Sequence, residues 1–348
     1  GSNVPGASQK NDTSWNRPGS ICYLGYLSHT CFNHYTYRIM KKHKKIIIAG
    51  GTGQIGTALC NFYAERAEKI IVLSRGAAKQ KRNVAYINWD AKTQGDWVKE
   101  MDEADMLINL CGKNVNCRYT EENKKEIFDS RTNSTKALAQ AIAACKTPPR
   151  LWIQSASATI YRHAEDRPMT EKDGIMGSGF SVEVCKKWEK VFWEETAAFT
   201  NMRKAILRIS LVMGKKEGVF PRLRNLTRFG LGGKQGNGKQ WVSWIHEADV
   251  VNMIEWIATH EQIEGIINCT SPTPLKNNEL MQIIRKELNM PIGLPSPAWL
   301  LELGAIIIRT ETELILKSRW VLPRKILKTG FQFQYPEASV AINDLIHS

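Results

Sequence analysis

The sequence predicts an α/β protein with a doubly wound parallel sheet and a smaller, mainly helical C-terminal lobe. Two observations predict this class. Short β-branched segments alternate with helical segments along the first half of the chain, and a glycine-rich turn follows the first of these segments. Alternating strands and helices give parallel strands that are covered by helices on both faces. The 348 residues suffice for about two domains.

Composition and charge narrow the class further. The hydrophobic share of 43% and the charged share of 24% are ordinary for a globular protein, and they exclude a fibrous or mostly disordered chain. The net charge of +14 favours anionic ligands such as nucleotide phosphates, acidic metabolites or nucleic acid. We expect no nucleic-acid partner, because the body of the chain has no recognition motif and no clustered basic arm.

Residues 1–39 mix Ser, Thr, Asn, Gly and Pro with scattered aromatic residues and show no helical or strand period. They are predicted to be an expression-derived leader or a disordered extension. The remaining body has no apolar run near the ~20 residues of a membrane span, so we expect no membrane partner and a cytoplasmic protein. Its six cysteines show no C-x-x-C pair and no zinc-finger spacing, which predicts free thiols and no metal.

The first element is a strand over Lys45–Ala49, and an amphipathic helix runs to about Arg66. The turn between them is rich in glycine, which allows positive φ and lets the backbone approach a pyrophosphate at the helix N-terminus. Strand, glycine loop and helix together predict a dinucleotide-binding Rossmann unit. The residues expected to contact the cofactor here are Gly50, Gly51, Thr52, Gly53, Gln54, Ile55 and Gly56.

The second strand, Lys69–Leu73, ends in Ser74 and Arg75. An NAD-selecting unit carries an acidic residue about 20 positions beyond the loop, whereas a basic residue there suits the 2′-phosphate of NADP. Ser74 and Arg75 are therefore expected to contact the cofactor, and NADP(H) is predicted over NAD(H). The alternative is that Arg75 is a solvated surface arginine in a turn.

Further strands are predicted over Val84–Asn88, Asp105–Leu110, Leu151–Ser155 and Ala205–Leu211, with a helix over Glu121–Cys145 between the second and third of these. Ligands of such sheets bind at the carboxyl ends of the strands. Asp90, Leu110, Cys111, Gly112 and Ser155 lie at those ends and are expected to line the cofactor site. Ordinary turn chemistry is the alternative for Asp90.

At this point the chain resembles the extended short-chain dehydrogenase/reductase superfamily. It is most similar to an atypical, epimerase-like branch of YfcH-type proteins that includes short-chain dehydrogenase/reductase family 39U. The segments that carry the resemblance are Gly50–Gly56, Asn109–Gly112, Arg118–Thr120, Asp129–Arg131, Ser155–Tyr161, Cys185–Glu189, Trp241–His246, Leu322-Pro323 and Gly330–Pro336. They span nearly all of residues 45–345.

The resemblance implies an NADP-binding Rossmann domain over residues 40–212 and a substrate lobe over 213–348. Within that lobe, residues 241–270 are expected to return to the Rossmann sheet, and 297–345 to form a C-terminal segment specific to the family. Trp241 and Trp244 alternate with smaller residues in a strand pattern that could line a substrate wall, although at least one of them is expected to be core.

In the superfamily, a Tyr-x-x-x-Lys pair on a long helix and an upstream Ser transfer protons beside the nicotinamide. Ser157 matches the upstream Ser. On the predicted helix 178–199, Ser181 stands where the tyrosine is expected and Cys185 where the lysine is expected, and the i, i+4 spacing puts both on one face with Glu189. A serine hydroxyl is no acid near neutrality, and a thiol cannot replace the ammonium charge.

Either other groups perform the proton transfer or the standard chemistry is absent. Tyr161, Glu165 and His246 are the candidate replacement acids, with Ser157 polarising a carbonyl. The predicted catalytic set is therefore Ser157, Tyr161, Ser181, Cys185 and His246. Cys185 has the alternative of being a small buried residue.

We expect an NADP(H)-binding oxidoreductase or epimerase-like enzyme, monomeric or homodimeric, that transfers a hydride on a small polar substrate. Arg118 and Arg131 lie on or before a charged helix and are expected to belong to its solvated face. Both are also part of the branch motifs and could instead clamp an anionic substrate. The alternative is a catalytically degenerate protein that senses NADP(H) or holds a partner, because fold alone does not establish function.

Overall fold

The structure is a computed structural model that describes residues 43–297 and 316–348. The predicted leader, residues 1–39, lies outside the described residues. So does the stretch 298–315 of the predicted C-terminal segment.

The described residues form twelve β-strands, eight α-helices and a few short helical turns. The strands are β1 (His43–Ala49), β2 (Ala67–Ser74), β3 (Lys79–Lys81), β4 (Val84–Asn88), β5 (Met106–Asn109), β6 (Leu151–Ser157), β7 (Arg203–Ile209), β8 (Leu211–Met213), β9 (Trp241–Val242), β10 (Trp244–His246), β11 (Gly265–Cys269) and β12 (Leu275–Lys276). Short 3-10 helices cover Asp96–Met101 and Ala158–Ile160.

The α-helices are numbered in chain order. They are α1 (Gln54–Tyr63), α2 (Glu121–Ala143), α3 (Phe180–Glu195), α4 (Phe220–Leu226), α5 (Glu247–Thr259), α6 (Asn277–Glu287), α7 (Arg324–Leu327) and α8 (Ala338–His347). A π-helical turn over Thr227–Leu231 continues α4. None of the helices in residues 43–297 and 316–348 is long and apolar enough to cross a bilayer.

The central sheet has eight strands in the order β11-β7-β6-β5-β1-β2-β4-β3. All neighbours in it pair in parallel except β3, which pairs antiparallel with β4 at one edge. The chain winds outward from β1 in both directions, so the order reverses between β1 and β5. The predicted doubly wound α/β class is confirmed, and this reversal is where such sheets open a ligand crevice.

The sheet is buried on both faces, which explains the unbroken apolar runs of its inner strands. Alternate residues of β1 enter two different core clusters. Ile46 and Ile48 pack in the cluster that holds Leu59 of α1 and several residues of α5. Ile47 and Ala49 pack in the opposite cluster, to which α2 and α3 contribute. Helices on both sides thus fix the carboxyl ends of the strands.

A third cluster forms the core of the smaller lobe. Its largest members are Phe220 of α4 and Trp244 of β10, together with residues of α6 and α8. Two small sheets, β8–β10 and β9–β12, border it. The lobe is mainly helical, as predicted.

Two sequence expectations need correction in this region. The predicted strand Ala205–Leu211 is interrupted, because β7 ends at Ile209 and Leu211 begins β8, which pairs with β10. Of the predicted stretch 241–270, only β11 joins the large sheet, alongside β7, while β9 and β10 pair within the small sheets.

Candidate functional site

The turn after β1 is shaped by glycines that the packing requires. Gly50 has φ +75°, and a Cβ on it would lie 3.0 Å from the backbone of Leu110 and Cys111. A Cβ on Gly56 would lie 2.4 Å from the Cα of Gly51, so α1 packs directly on the turn. A Cβ on Gly53, the N-cap of α1, would meet no atom within 4 Å. The helix N-terminus therefore faces open space.

The other residues of the loop divide between solvent and packing. Thr52 is exposed and Ile55 packs at the margin of the sheet's core. The side-chain amide of Gln54 donates to Glu247 Oε2 at 3.1 Å, which ties the loop to the start of α5.

These features fit a dinucleotide. Free N–H groups at a helix N-terminus and an uncovered glycine backbone are what a pyrophosphate needs. In addition, the hydroxyl of Ser155 near the end of β6 is buried without a hydrogen-bond partner among the described residues. Buried hydroxyls without partners are uncommon and often mark a ligand position. The open N-terminus of α1 at Gly53 and the unpartnered Ser155 hydroxyl are thus the two features that fit a nucleotide cofactor.

The end of β2 supplies the next predicted contacts. Ser74 is buried and Arg75 is exposed. The side-chain amide of Asn88, at the end of β4, donates to the carbonyl oxygens of Arg75 and Gly76 and so fixes this turn. Burial raises the pKa of the Cys111 thiol to about 12, and the positive charge of Arg75 opposes that rise.

Asp90 holds its own turn together. Its carboxylate accepts hydrogen bonds from the backbone N–H groups of Lys92 and Thr93, both at 2.8 Å, and from the Thr93 hydroxyl at 2.9 Å. These bonds lower the pKa of Asp90. The structure thus gives Asp90 the turn chemistry that was its alternative interpretation.

The segment after β5 crosses directly behind the glycine loop. The N–H of Leu110 donates to the carbonyl oxygen of Ala49, and the N–H of Cys111 donates to Oδ1 of Asn109. Gly112 lies under the guanidinium of Arg131, because a Cβ on Gly112 would be 3.1 Å from Cζ of that arginine.

A pocket lies beyond the carboxyl ends of β5 and β6. It brings together three of the five predicted catalytic residues, Ser157, Ser181 and Cys185. Ser157 is the last residue of β6, and the other two lie on successive turns of α3. The remaining lining residues are Val115, Tyr119, Ile127, Arg131, Thr159, Phe180, Val184 and Trp188.

The groups in this pocket differ in what they can do. The hydroxyl of Ser157 lies 3.0 Å from Thr159 Oγ1, and that of Ser181 lies 3.2 Å from the phenol oxygen of Tyr119. Burial raises the pKa of Cys185 to about 12. A thiol in that state is neither a nucleophile nor a base near neutrality. Its burial agrees with the alternative of a small packed residue.

Tyr161 lies outside this pocket, contrary to the role we expected for it. Its hydroxyl donates to Asn268 Oδ1 at 2.8 Å and accepts from Arg208 Nη1 at 2.9 Å. Arg208 also forms a buried two-point ion pair with Glu189, at 2.8 and 2.7 Å. Burial raises the pKa of Tyr161. The phenol belongs to a buried polar network that joins α3 to β7 and β11.

His246 is also placed elsewhere, in the smaller lobe. It is the N-cap of α5, where Nδ1 accepts the N–H of Ala248 at 3.2 Å, and its ring lies 4.0 Å from that of Tyr335. Burial lowers its pKa. Glu165, the other candidate acid, is exposed and lies 3.7 Å from His163. The structure does not bring either group to Ser157.

The two tryptophans of the Trp241–His246 segment have different surroundings. Trp244 is fully buried in the lobe core, which confirms that at least one of them is core. Trp241 stacks on Trp320 with ring centroids 4.2 Å apart.

Sequence reasoning did not select Tyr119 as a site residue, although it lies in the pocket. Arg131 was expected on a solvated helix face, with a clamp for an anionic substrate as the alternative, and the structure places it half-buried in the lining of this pocket. Both belong to short segments that carry the family resemblance. Tyr119 directly precedes the N-cap of α2, and Arg131 lies within that helix. Sequence separation hid the contact of Tyr119 with Ser181, because these two residues are 62 positions apart.

Comparison with known families and proteins agrees with this geometry. Residues 46–270 match the model of the NAD dependent epimerase/dehydratase family. Residues 296–345 match a model described as a domain of unknown function, DUF1731. Among proteins, the epimerase family protein YfhF of Bacillus subtilis is 30% identical over 86% of this chain and 97% of its own length. The epimerase family protein SSP1921 of Staphylococcus saprophyticus is 30% identical over 87% of this chain and its own full length.

Solved structures show the same similarity. The human epimerase family protein SDR39U1, solved with NADPH, is 27% identical over 86% of this chain and 98% of its own, with a TM-score of 0.76. The nucleoside-diphosphate sugar epimerase of Corynebacterium glutamicum is 26% identical, with a TM-score of 0.68, over 86% of this chain and 57% of its own.

Proposed function

The chain belongs to the NAD dependent epimerase/dehydratase family, and from this premise we propose that it is an NADP(H)-binding oxidoreductase or epimerase-like enzyme. It transfers a hydride to or from a small polar substrate in a non-standard active site. A cytoplasmic location suits the proposal, because all six cysteines of the described residues are free thiols.

The observation that carries the proposal is the position of the Ser157 pocket. It lies at the carboxyl edge of β5 and β6, on the same side of the sheet as the glycine loop after β1. In this arrangement the N-terminus of α1 would hold the pyrophosphate of a bound cofactor, and Arg75 would contact its adenosine half. Ser155 lies toward the nicotinamide end. The bound nicotinamide supplies or accepts the hydride, while Ser157 is placed to hydrogen-bond a substrate carbonyl.

Arg75 supports NADP(H) over NAD(H). Its guanidinium is exposed at the end of β2, where a basic side chain suits a 2′-phosphate. The human protein SDR39U1, whose structure was solved with NADPH, is similar over most of this chain and supports the same preference.

Calorimetric titration with NADPH and NADH tests the cofactor assignment. We expect NADPH to bind more tightly, and Arg75→Asp to weaken NADPH binding by at least about tenfold while NADH binding changes little, since a charge-assisted contact contributes about 1.5–3 kcal/mol. Arg150→Asp is the matched control, because Arg150 is exposed at the opposite, amino end of β6. An unchanged NADPH-to-NADH preference in Arg75→Asp would contradict the assignment.

A catalytically degenerate NADP(H) sensor is the second candidate. One observation favours it: Ser181 and Cys185 stand in the places of the superfamily's tyrosine and lysine, and the Cys185 thiol is buried. Tight NADPH binding without NADPH oxidation, across a panel of carbonyl compounds and sugar nucleotides, is the result expected of a sensor. Oxidation with any member of that panel is expected of the enzyme.

A further inference from the structure

The phenol of Tyr119 lies next to Ser181, the residue that stands where the superfamily has its catalytic tyrosine. The hydroxyl of Tyr119 lies 3.2 Å from Ser181 Oγ, and the Tyr119 ring packs on Phe180 with centroids 4.7 Å apart. Tyr119 comes from the loop after β5 and not from α3. It directly precedes Thr120, the N-cap of α2, whose hydroxyl accepts the N–H of Asn123. Capping and ring packing together hold the phenol against Ser181.

A half-buried cation shares this pocket. Arg131 donates from Nη1 to the Ile127 carbonyl at 2.9 Å and from Nη2 to the Lys113 carbonyl at 3.1 Å. Its Cζ lies 4.9 Å from the centre of the Trp188 ring. Burial lowers the pKa of Arg131, and the neighbouring Cys185 and Tyr119 oppose that effect. Because a guanidinium stays protonated in proteins, Arg131 is a fixed positive charge in the lining of the pocket that also contains Cys185 and Tyr119.

Tyr119 and Arg131 together supply the acid–base chemistry that Ser181 and Cys185 lack. A phenol ionises near pH 10 when unperturbed, and an adjacent cation favours its ionised form. A phenol of lowered pKa is an efficient general acid or base near neutrality. A serine hydroxyl and a buried thiol are not.

We propose that Tyr119 is the proton-transfer residue of this site, with Ser181 as its hydrogen-bonded positioning residue and Arg131 as the cation that stabilises its phenolate. The inference rests on the proposed hydride transfer. In the reductive direction, the substrate carbonyl carbon gains a hydride from the reduced nicotinamide, and the carbon–oxygen π pair moves to the oxygen. The Tyr119 hydroxyl transfers its proton to that oxygen, and the phenolate regains a proton from water. The oxidative direction reverses these steps.

A purely structural tyrosine would behave differently. The packing on Phe180 needs only the ring, which Tyr119→Phe retains. A hydroxyl that served only packing would ionise near its ordinary pH, and its titration would not depend on Arg131.

The test is a pH titration of the whole, cofactor-free protein labelled with 13Cζ-tyrosine, followed by NMR. Tyr119→Phe identifies the Tyr119 resonance, and Tyr86→Phe, on β4 at the far side of the sheet, is the matched control. We expect Tyr119 to ionise at least about one pH unit below free tyrosine, which is tenfold more phenolate at a given pH. Arg131→Gln should reverse that tenfold gain and Arg131→Lys should restore most of it.

Two results would overturn the inference: a wild-type Tyr119 that ionises at or above the ordinary pH of tyrosine, or one that ignores Arg131→Gln. If the Arg131 variants do not fold, the wild-type titration decides alone. Calorimetry with NADPH on the same samples separates this inference from the proposed function. Wild-type protein that fails to bind NADPH contradicts the proposed function, whatever Tyr119 does.

Kinetics add a second readout, with 2,3-butanedione as the probe substrate. Where the wild type oxidises NADPH, we expect Tyr119→Phe to lower kcat by about a hundredfold or more, within the usual range for a lost general acid, with NADPH affinity retained. Unchanged kcat in Tyr119→Phe also contradicts the inference.

Discussion

Single glycines of the turn after β1 meet different physical demands. Gly56 is needed for contact, since its Cα faces the backbone of Gly51 with no room for a methyl group. Gly53 is different, because its φ of −84° suits any residue and the space beside it is open. The structure of the chain itself does not require glycine at residue 53. A ligand at the N-terminus of α1 requires glycine there if its phosphates approach the backbone.

Two alanine variants separate these demands. We expect Gly53→Ala to cost about 1 kcal/mol or less in the free energy of unfolding, since alanine is only a poorer N-cap. It should weaken NADPH binding by at least about tenfold, because the methyl group enters the space of the pyrophosphate. Gly56→Ala should destabilise the fold by about 1–3 kcal/mol through overpacking. Urea denaturation and calorimetry measure both effects. Unchanged NADPH affinity in Gly53→Ala would show that the pyrophosphate binds elsewhere.

At the scale of single residues, a role could be predicted from the sequence when it depends on residues that are close along the chain. The glycine loop is such a case, because its strand, turn and helix are contiguous. Tyr161 is the opposite case. Its partners Arg208 and Asn268 are 47 and 107 positions away, so no local pattern showed that its hydroxyl was already engaged.

Among the elements, α3 shows how one helix face serves two purposes. Ser181, Cys185 and Glu189 follow one another at i, i+4 spacing, as predicted from the sequence. The first two line the pocket, whereas Glu189 forms the buried ion pair with Arg208 of β7. A buried pair with two-point geometry fixes orientation. The ion pair therefore anchors the helix that carries the pocket residues.

The C-terminal segment is attached to the sheet through α5. Asp249, in the first turn of α5, is fully buried and accepts the N–H groups of Gln334 and Tyr335 at 2.7 and 2.9 Å. Phe331, three residues before Gln334, packs in a core cluster of the sheet. One carboxylate thus satisfies two backbone donors of a segment with no regular structure at that point.

This attachment should make stability depend on pH. Burial raises the pKa of Asp249 from 3.8 to about 6 in the folded protein. A raised folded pKa means that the protonated form favours folding, so this contribution is fully present below about pH 4 and is lost as the pH rises through 6. The wild-type free energy of unfolding, relative to Asp249→Asn, should therefore fall by about 2 kcal/mol between pH 4 and 7.

Urea denaturation across that range measures the difference. Asp96→Asn is the control, because the Asp96 side chain is 95% exposed and should show little such dependence. A wild-type-to-Asp249→Asn difference that stays flat with pH would contradict the role given to this carboxylate.

Strands and helices could be predicted from the sequence where their pattern of apolar and polar residues repeats over enough residues. Strands β1, β2, β4, β5 and β6 lie within a few residues of their predicted bounds, and the helix predicted over Glu121–Cys145 is observed over Glu121–Ala143. Strands β8, β9, β10 and β12 have only two or three residues each, so they carry no readable alternation. Their pairing depends on tertiary contacts, and this is why β8 was predicted as the end of β7.

In the whole molecule, the described C-terminal half of the chain contributes to the central sheet as well as to the core of the smaller lobe. It supplies β11 to the central sheet, and Ile326 and Phe331 to one of the sheet's core clusters. The domain boundary placed after residue 212 remains a prediction. A ligand in the crevice would touch strand ends from both halves of the sheet, with Arg75 at one end and Ser155 at the other.

A ligand placed in this way stabilises all elements that form its site. We expect NADPH to raise the free energy of unfolding by about 2.7 kcal/mol at a concentration one hundred times its Kd, because it binds the folded chain alone. The increase should grow with the logarithm of NADPH concentration, and tryptophan fluorescence during urea denaturation measures it. NADH at the same concentration should stabilise less, as should NADPH with Arg75→Asp. Saturation by calorimetry without any such increase would mean that NADPH binds unfolded chain as well, and the crevice would not be its site.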